Sequence, residues 1–184
     1  EQRLVGPARS PCPFAHQPKG QLVPNDYFGL PLHPLIVHAT VVMVPLAALT
    51  VVLFALWPRF RDWAGPLPAA ISLIGLILVP LSTSTGETLE KHVEETALLE
   101  KHTEAAEGLL PWMIGLFAIA VIGYVLHYRS KRGHSVARAV TVAVAVLALG
   151  ATIGTTVQVA IIGHTGAKAA WDDTDMNSTS KSGG

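Results

Sequence analysis

The residues best equipped for chemistry in this chain are its eight histidines, at positions 16, 33, 38, 92, 102, 127, 134 and 164. A neutral imidazole binds metals and haem iron, and it exchanges protons near neutral pH. The spacing of these residues excludes several kinds of site. There is no His-Glu-x-x-His pair of the zinc-protease type. No glutamate stands three residues before any histidine, so the Glu-x-x-His motif of di-iron bundles is absent. Cys12 is the sole cysteine, which excludes an intrachain disulfide and the Cys/His sets usual in structural zinc sites. No nucleophile–base pair is evident, so no independent catalytic activity is expected.

The elements that must carry these histidines are membrane spans. Half of the 184 residues are hydrophobic and 14% are charged, against about 25% in a soluble domain. The mean hydropathy is +0.43. Thirteen basic and thirteen acidic residues cancel, which gives no sign of nucleic-acid binding. About 20 apolar residues cross a bilayer as a helix, and four runs reach that length. Their spans are predicted at about 30–57, 64–86, 109–128 and 136–162. Residues 87–107 hold seven glutamates and two lysines; they are predicted to form an external, acidic, amphipathic helix. The fold class is therefore all-α, a polytopic membrane protein with a four-helix domain over 30–167. Residues 1–29, polar and proline-rich, form an N-terminal tail, and 168–184 a flexible C-terminal tail. No internal repeat stands out. Pro45 and Pro80 should bend their spans, and Gly150 and Gly154 make a GxxxG pair suited to close helix contact.

Arg59 and Arg61 occupy the first short turn; Arg129, Lys131, Arg132 and Arg138 lie in or beside the second. Short basic loops stay in the cytoplasm. Both termini and the acidic segment are then extracytoplasmic in a multi-pass protein of the cell (plasma) membrane. His127 and His134 fall on the cytoplasmic side, as solvated residues of a basic turn. His33, His38, His92, His102 and His164 fall at or near the opposite face.

His38 lies about 7.5 Å deeper than His33 along a helix and about 140° round it, so the pair is ill placed to share one ion. Pro34, Leu35, Val41 and Val42 surround His38 on that helix, and an ionisable group in such a setting suggests function. His102 shares the apolar stripe of its segment. His164 stands between Gly163 and Gly166, small residues that would let a flat ring approach. A b-type haem needs one or two imidazoles from facing helices and an apolar slot. On this reading His38 and His102 are the first choice of axial ligands, with His164 and His33 as further cofactor-binding candidates. A rival set, His92, His102 and Glu95, could hold a copper or zinc ion.

Three stretches resemble the DUF2231 family of four-helix membrane proteins. Gly29-Leu30-Pro31-Leu32-His33-Pro34-Leu35-Ile36-Val37-His38 is similar to that family's opening around helix one. His102 resembles its single histidine before the third helix, and Gly163-His164-Thr165-Gly166-Ala167 its closing glycine segment. Thr85-Gly86 resembles the motif that ends its helix two. The likeness covers about residues 29–171. Ala39 and Thr40 replace the usual Phe-Pro, and Ala167 replaces the second closing glycine. The resemblance implies His33, His38 and His102 as positions of interest. It also implies a redox setting, because similar members occur fused to Rieske iron–sulfur domains.

Three functions are thus expected in descending order: a small bacterial membrane protein that binds haem b for electron transport; a non-catalytic accessory subunit of a larger respiratory complex; and a copper or zinc binder. The expected partners are the lipid bilayer and other membrane subunits or a second copy of the chain.

Overall fold

The computed structural model of the chain describes residues 26–27, 30–90 and 96–171. Six helices account for nearly all of them: α1 (Leu32–Leu56), α2 (Pro58–Ala64), α3 (Leu67–Glu90), α4 (Ala97–Glu107), α5 (Leu109–Lys131) and α6 (Arg138–Trp171). A two-residue antiparallel pairing of Asp26–Tyr27 with Leu30–Pro31 precedes α1. Four segments are long and apolar enough to span a membrane: His33–Leu56, Leu67–Thr88, Ala97–Lys131 and Arg138–Trp171. The all-helical, four-span architecture expected from hydropathy is the one observed.

The four long helices form a ring in the order α1, α3, α5, α6, closed by α6 against α1, with α1 also touching α5 across the middle. Val44, Ala47, Ala48 and Val51 of α1 follow helical spacing into the centre and are buried. They meet Met113, Leu116 and Ala120 of α5, Val79 of α3, and Ala148 and Ala151 of α6. Small side chains dominate on α1 and α6, so their backbones approach closely. Thr152 Oγ1 donates to Ala48 O at 3.2 Å from one helix to the other. In lipid such fitting and bonding hold helices together, because burial from water no longer drives association. Outward residues such as Leu35, Val42, Leu49, Ile77, Val146 and Ile153 are apolar and exposed, as a lipid-facing surface requires.

The element ends differ from the hydropathy limits for local reasons. The turn expected at 58–63 is helical, since Pro58 opens α2 at a position where its missing N–H costs nothing. Arg61 then reaches back, donating from Nε to Phe54 O at 2.8 Å and from a terminal nitrogen to Ala55 O at 2.6 Å. It supplies the positive group that the C-terminal carbonyls of α1 otherwise lack. Gly65, at φ +52°, ends α2. The segment expected as one acidic helix is divided: its first residues finish α3, and α4 begins afresh after Thr96, whose side chain accepts from Leu99 N at 3.2 Å. α6 has 34 residues, or about 51 Å of rise, so it runs well past a hydrocarbon core of about 30 Å.

The expected GxxxG seam resolves into one functional glycine. Trp112 of α5 lies where a side chain at Gly154 would be, whereas a side chain at Gly150 would meet nothing.

Candidate functional site

At the end of the bundle where α1 and α4 begin and α3 and α6 finish, a cavity of about 430 Å³ opens between the helices. That volume is in the range of about 300–1,000 Å³ typical of small-molecule and cofactor sites. Val37, Val79, Leu99, Leu109, Val159 and Ile162 give it apolar walls. Two histidines, His33 and His102, line it together with Glu87 and Glu107.

The two histidines are held in the same way. His33 Nδ1 lies 3.2 Å from Thr85 Oγ1, and His102 Nδ1 lies 3.3 Å from Thr165 Oγ1. Each threonine already donates to its own helix: Thr85 to Leu81 O at 2.9 Å and Thr165 to Ile161 O at 3.0 Å. A hydroxyl has one proton. With that proton directed to a carbonyl, the threonine oxygen can only accept from the imidazole. Nδ1 therefore carries the hydrogen in both rings, and Nε2 keeps the lone pair of a neutral imidazole. Each ring also rests on the glycine after its threonine. A Cβ at Gly86 would stand 3.1 Å from His33 Cε1, and one at Gly166 2.9 Å from His102 Cε1.

This pairing reveals an internal repeat that the sequence reading passed over. The first hairpin runs from His33 to Thr85-Gly86 and the second from His102 to Thr165-Gly166. The signal was the Thr-Gly dipeptide, which occurs at these two places only. It was obscured because the separations differ, 52 residues against 63, and because the second half interrupts its first span at Gly108. There Gln158 Nε2 donates to Ala105 O at 2.6 Å, tying α6 to α4. Thr85, Gly86, Thr165 and Gly166 are thus site residues alongside the histidines.

The other candidates are placed elsewhere. His38 is exposed on the outside of α1, and its Nδ1 donates to Pro34 O at 2.5 Å within its own helix. His164 is exposed, two residues before the glycine on which His102 rests. His92 and Glu95 of the rival metal set lie outside the described residues, as do His16 and Cys12. Among the described residues no group of three histidine, cysteine or carboxylate side chains is arranged to hold a metal ion.

A second polar group occupies the opposite, basic end. His127 is not a solvated turn residue. Its side chain is only 16% exposed, its ring stands edge-on to Phe54 at 5.9 Å, and its Nε2 is 3.6 Å from Asp62 Oδ1. Burial against α1 follows from its position on the inner face of α5, one turn before the helix ends. Lys131 Nζ pairs with the same Asp62 oxygen at 2.8 Å. The hydrogen bond from that ammonium holds the Asp62 carboxyl below its ordinary pKa of 3.8. His134 is exposed, as expected.

No curated protein and no solved structure matches the chain. A family described as predicted membrane protein (DUF2231) matches residues 29–178, which include both hairpins and every residue of the cavity. With four apolar spans, two His–Thr-Gly pairs and a match over most of its length, the chain belongs to the DUF2231 family of membrane proteins.

Proposed function

We propose that this protein is a small haem-binding membrane protein in which His33 and His102 would hold the iron of a b-type haem. The observation that carries this reading is the pair of Thr–His hydrogen bonds at 3.2 and 3.3 Å. Ligating histidines characteristically donate their second nitrogen to a fixed acceptor, which sets the tautomer and raises the basicity of the coordinating nitrogen. Here two imidazoles on two hairpins carry that arrangement and line one apolar cavity. His38 and His164, sequence candidates for the same role, do not line the cavity, although His38 Nδ1 donates to Pro34 O within its own helix.

The remaining residues fit such a group. Gly86, Gly163 and Gly166 leave backbone rather than side chain at the cavity wall, which suits a flat macrocycle. Glu87 and Glu107 line the cavity too, and their carboxylates favour a positively charged iron centre over a neutral one. Lys101 neighbours His102, and Lys168 lies two residues beyond Gly166; both would be cationic partners for propionates. A haem with two imidazole ligands supplies one-electron exchange. The chain's own part is to hold both rings in one tautomer and to keep the cavity apolar.

The charge asymmetry supports placing this end on the extracytoplasmic side of the cell membrane, because the arginine-rich turns lie at the other end. Labelling of Glu104→Cys in a Cys12→Ser background with a membrane-impermeant thiol reagent on intact cells tests that orientation. Strong labelling is expected, and protection until the cells are opened would reverse it.

The ligand assignment is tested by purifying the full chain in mild detergent from haem-sufficient cells and recording its visible spectrum. A Soret band with sharp reduced α and β bands is expected. His33→Ala and His102→Ala should each abolish the six-coordinate spectrum; His38→Ala and His164→Ala should leave it intact. A wild-type protein without Soret absorbance, even after haem is added, rejects the reading.

A further inference from the structure

The basic end of the bundle holds a slot of about 160 Å³ that none of the above explains. It is separate from the histidine cavity. On α5 the cavity reaches down to Leu109 and the slot reaches up to Ile119 and Ala120. Nine residues of helix, a rise of about 15 Å from Leu109 to Ile119, lie between, filled by the buried Met113 and Leu116. The slot's inner walls are apolar, with Val51, Phe54, Val144 and Ala148 among them, and its polar groups are Arg61, His127, Ser130 and Thr141.

The charges around the slot select its ligand. Arg61 directs Nε and one terminal nitrogen to the carbonyls of Phe54 and Ala55, and its guanidinium lies 5.7 Å from the Phe54 ring centre. It is a fixed structural cation and repels another cation. The Asp62 carboxylate beside His127 opposes an anion such as a phosphate. A neutral molecule is left. Of His127, Nε2 faces Asp62, while Nδ1 makes no hydrogen bond to any described residue. With the hydrogen of the neutral ring on Nε2, toward that carboxylate, Nδ1 is left as an acceptor for a hydroxyl at the mouth of an otherwise apolar slot. The volume suits one six-membered ring and not a macrocycle, and the slot lies between spans of a membrane bundle, where lipid-soluble molecules are at hand.

We infer that this slot binds the head group of a membrane quinone in its reduced, quinol form, with one ring hydroxyl donating to Nδ1 of His127 and the ring held between α1, α5 and α6. The inference rests on residues that the haem reading does not use, so the two stand or fall separately.

The test is equilibrium binding of a decyl-tailed benzoquinone, kept in its reduced form, to the full chain in nanodiscs of neutral phosphatidylcholine, with protein-free nanodiscs as the partition control. Saturable binding of one quinol per chain is expected. His127→Phe keeps the ring's bulk and removes its nitrogens; it should weaken binding about tenfold, the effect of one buried hydrogen bond. Ala145→Phe should fill the slot and abolish saturation while the protein still elutes as folded material. His33→Ala and His102→Ala should bind quinol normally whether or not haem is present. Non-saturable partitioning equal to the control overturns the inference. So does unchanged affinity in both His127→Phe and Ala145→Phe. Displacement of quinol by phosphatidylglycerol at equal mole fraction, with His127→Phe unaffected, would reassign the slot to a lipid head group.

Discussion

Gly166 has no side chain where the imidazole of His102 lies: a Cβ there would stand 2.9 Å from Cε1 and 3.1 Å from Nδ1 of that ring. The glycine belongs to α6 and the histidine to α4, so their contact joins the last span to the helix that leads into the third. His33 and Gly86 repeat the relationship between α1 and α3.

The glycine platforms can be tested by size. Gly166→Ala and Gly86→Ala should each push a ring out of place, and we expect at least a halving of haem occupancy in the visible spectrum. Gly150→Ala is the control, because a side chain there would meet nothing and the residue lies outside the cavity. Equal spectra for all three variants would show that ring position does not depend on these contacts.

The threonines are predicted to act through tautomer and basicity rather than bulk. Thr85→Val and Thr165→Val keep the shape and remove the acceptor, which should cost about 1 kcal/mol of local stability and roughly tenfold or more in haem affinity. Nitrogen-15 NMR of the haem-free protein should show the matching histidine losing its Nδ1–H preference. Thr→Ser at either position should retain it, since the hydroxyl remains. Tautomer populations that ignore the Val substitutions would contradict the hydrogen-bond argument.

Trp112 and Gly154 set the spacing of α5 and α6. Gly154→Val forces a side chain into the indole, and overpacking of this kind costs about 1–3 kcal/mol. Gly150→Ala meets open space and should change stability by less than about 0.5 kcal/mol. Thermal unfolding in detergent compares them, and a tolerated Gly154→Val with a damaging Gly150→Ala would invert the expected seam.

Acid should loosen the basic end. Asp62 has its carboxyl pKa lowered, chiefly by the hydrogen bond from Lys131. A carboxylate whose folded pKa lies below its unfolded value contributes stability above the unfolded value, here near 3.8. That contribution fades as pH falls through the lower folded value. Lys131→Met should raise the Asp62 pKa and flatten the acid limb of a melting-temperature profile. The change will be small, because Asp62 is exposed. Superimposable profiles for wild type and Lys131→Met would remove the pairing from any account of acid sensitivity.

The number of spans was legible because hydropathy is local: a run such as Leu30 to Trp57 declares itself without any knowledge of its neighbours. The convergence of histidines at one end was legible for the same reason, since alternation of spans assigns each loop to a side. The choice among the histidines was not. His33 and His38 share one helix about 140° apart, and only one of them can face the bundle. In a soluble protein the polar side of a helix marks the outward face. In α1 both faces are apolar, because lipid and protein interior make the same demand, so the sequence carries no rotational phase.

The chain's own residues therefore determined an all-helical four-span protein with most of its described histidines gathered at one end, through patterns that read the same whatever the spans pack against. Tertiary packing decided which imidazoles meet. Thr152 against Ala48 and Trp112 over Gly154 are points of contact between spans that fix how the helices face one another. That arrangement turned His33 and His102 into one cavity and His38 toward lipid. It also drew His127 inward to Phe54 and Asp62. The physical reason is that helix rotation in a bilayer is set by close contacts between helices, and these join residues far apart in the chain.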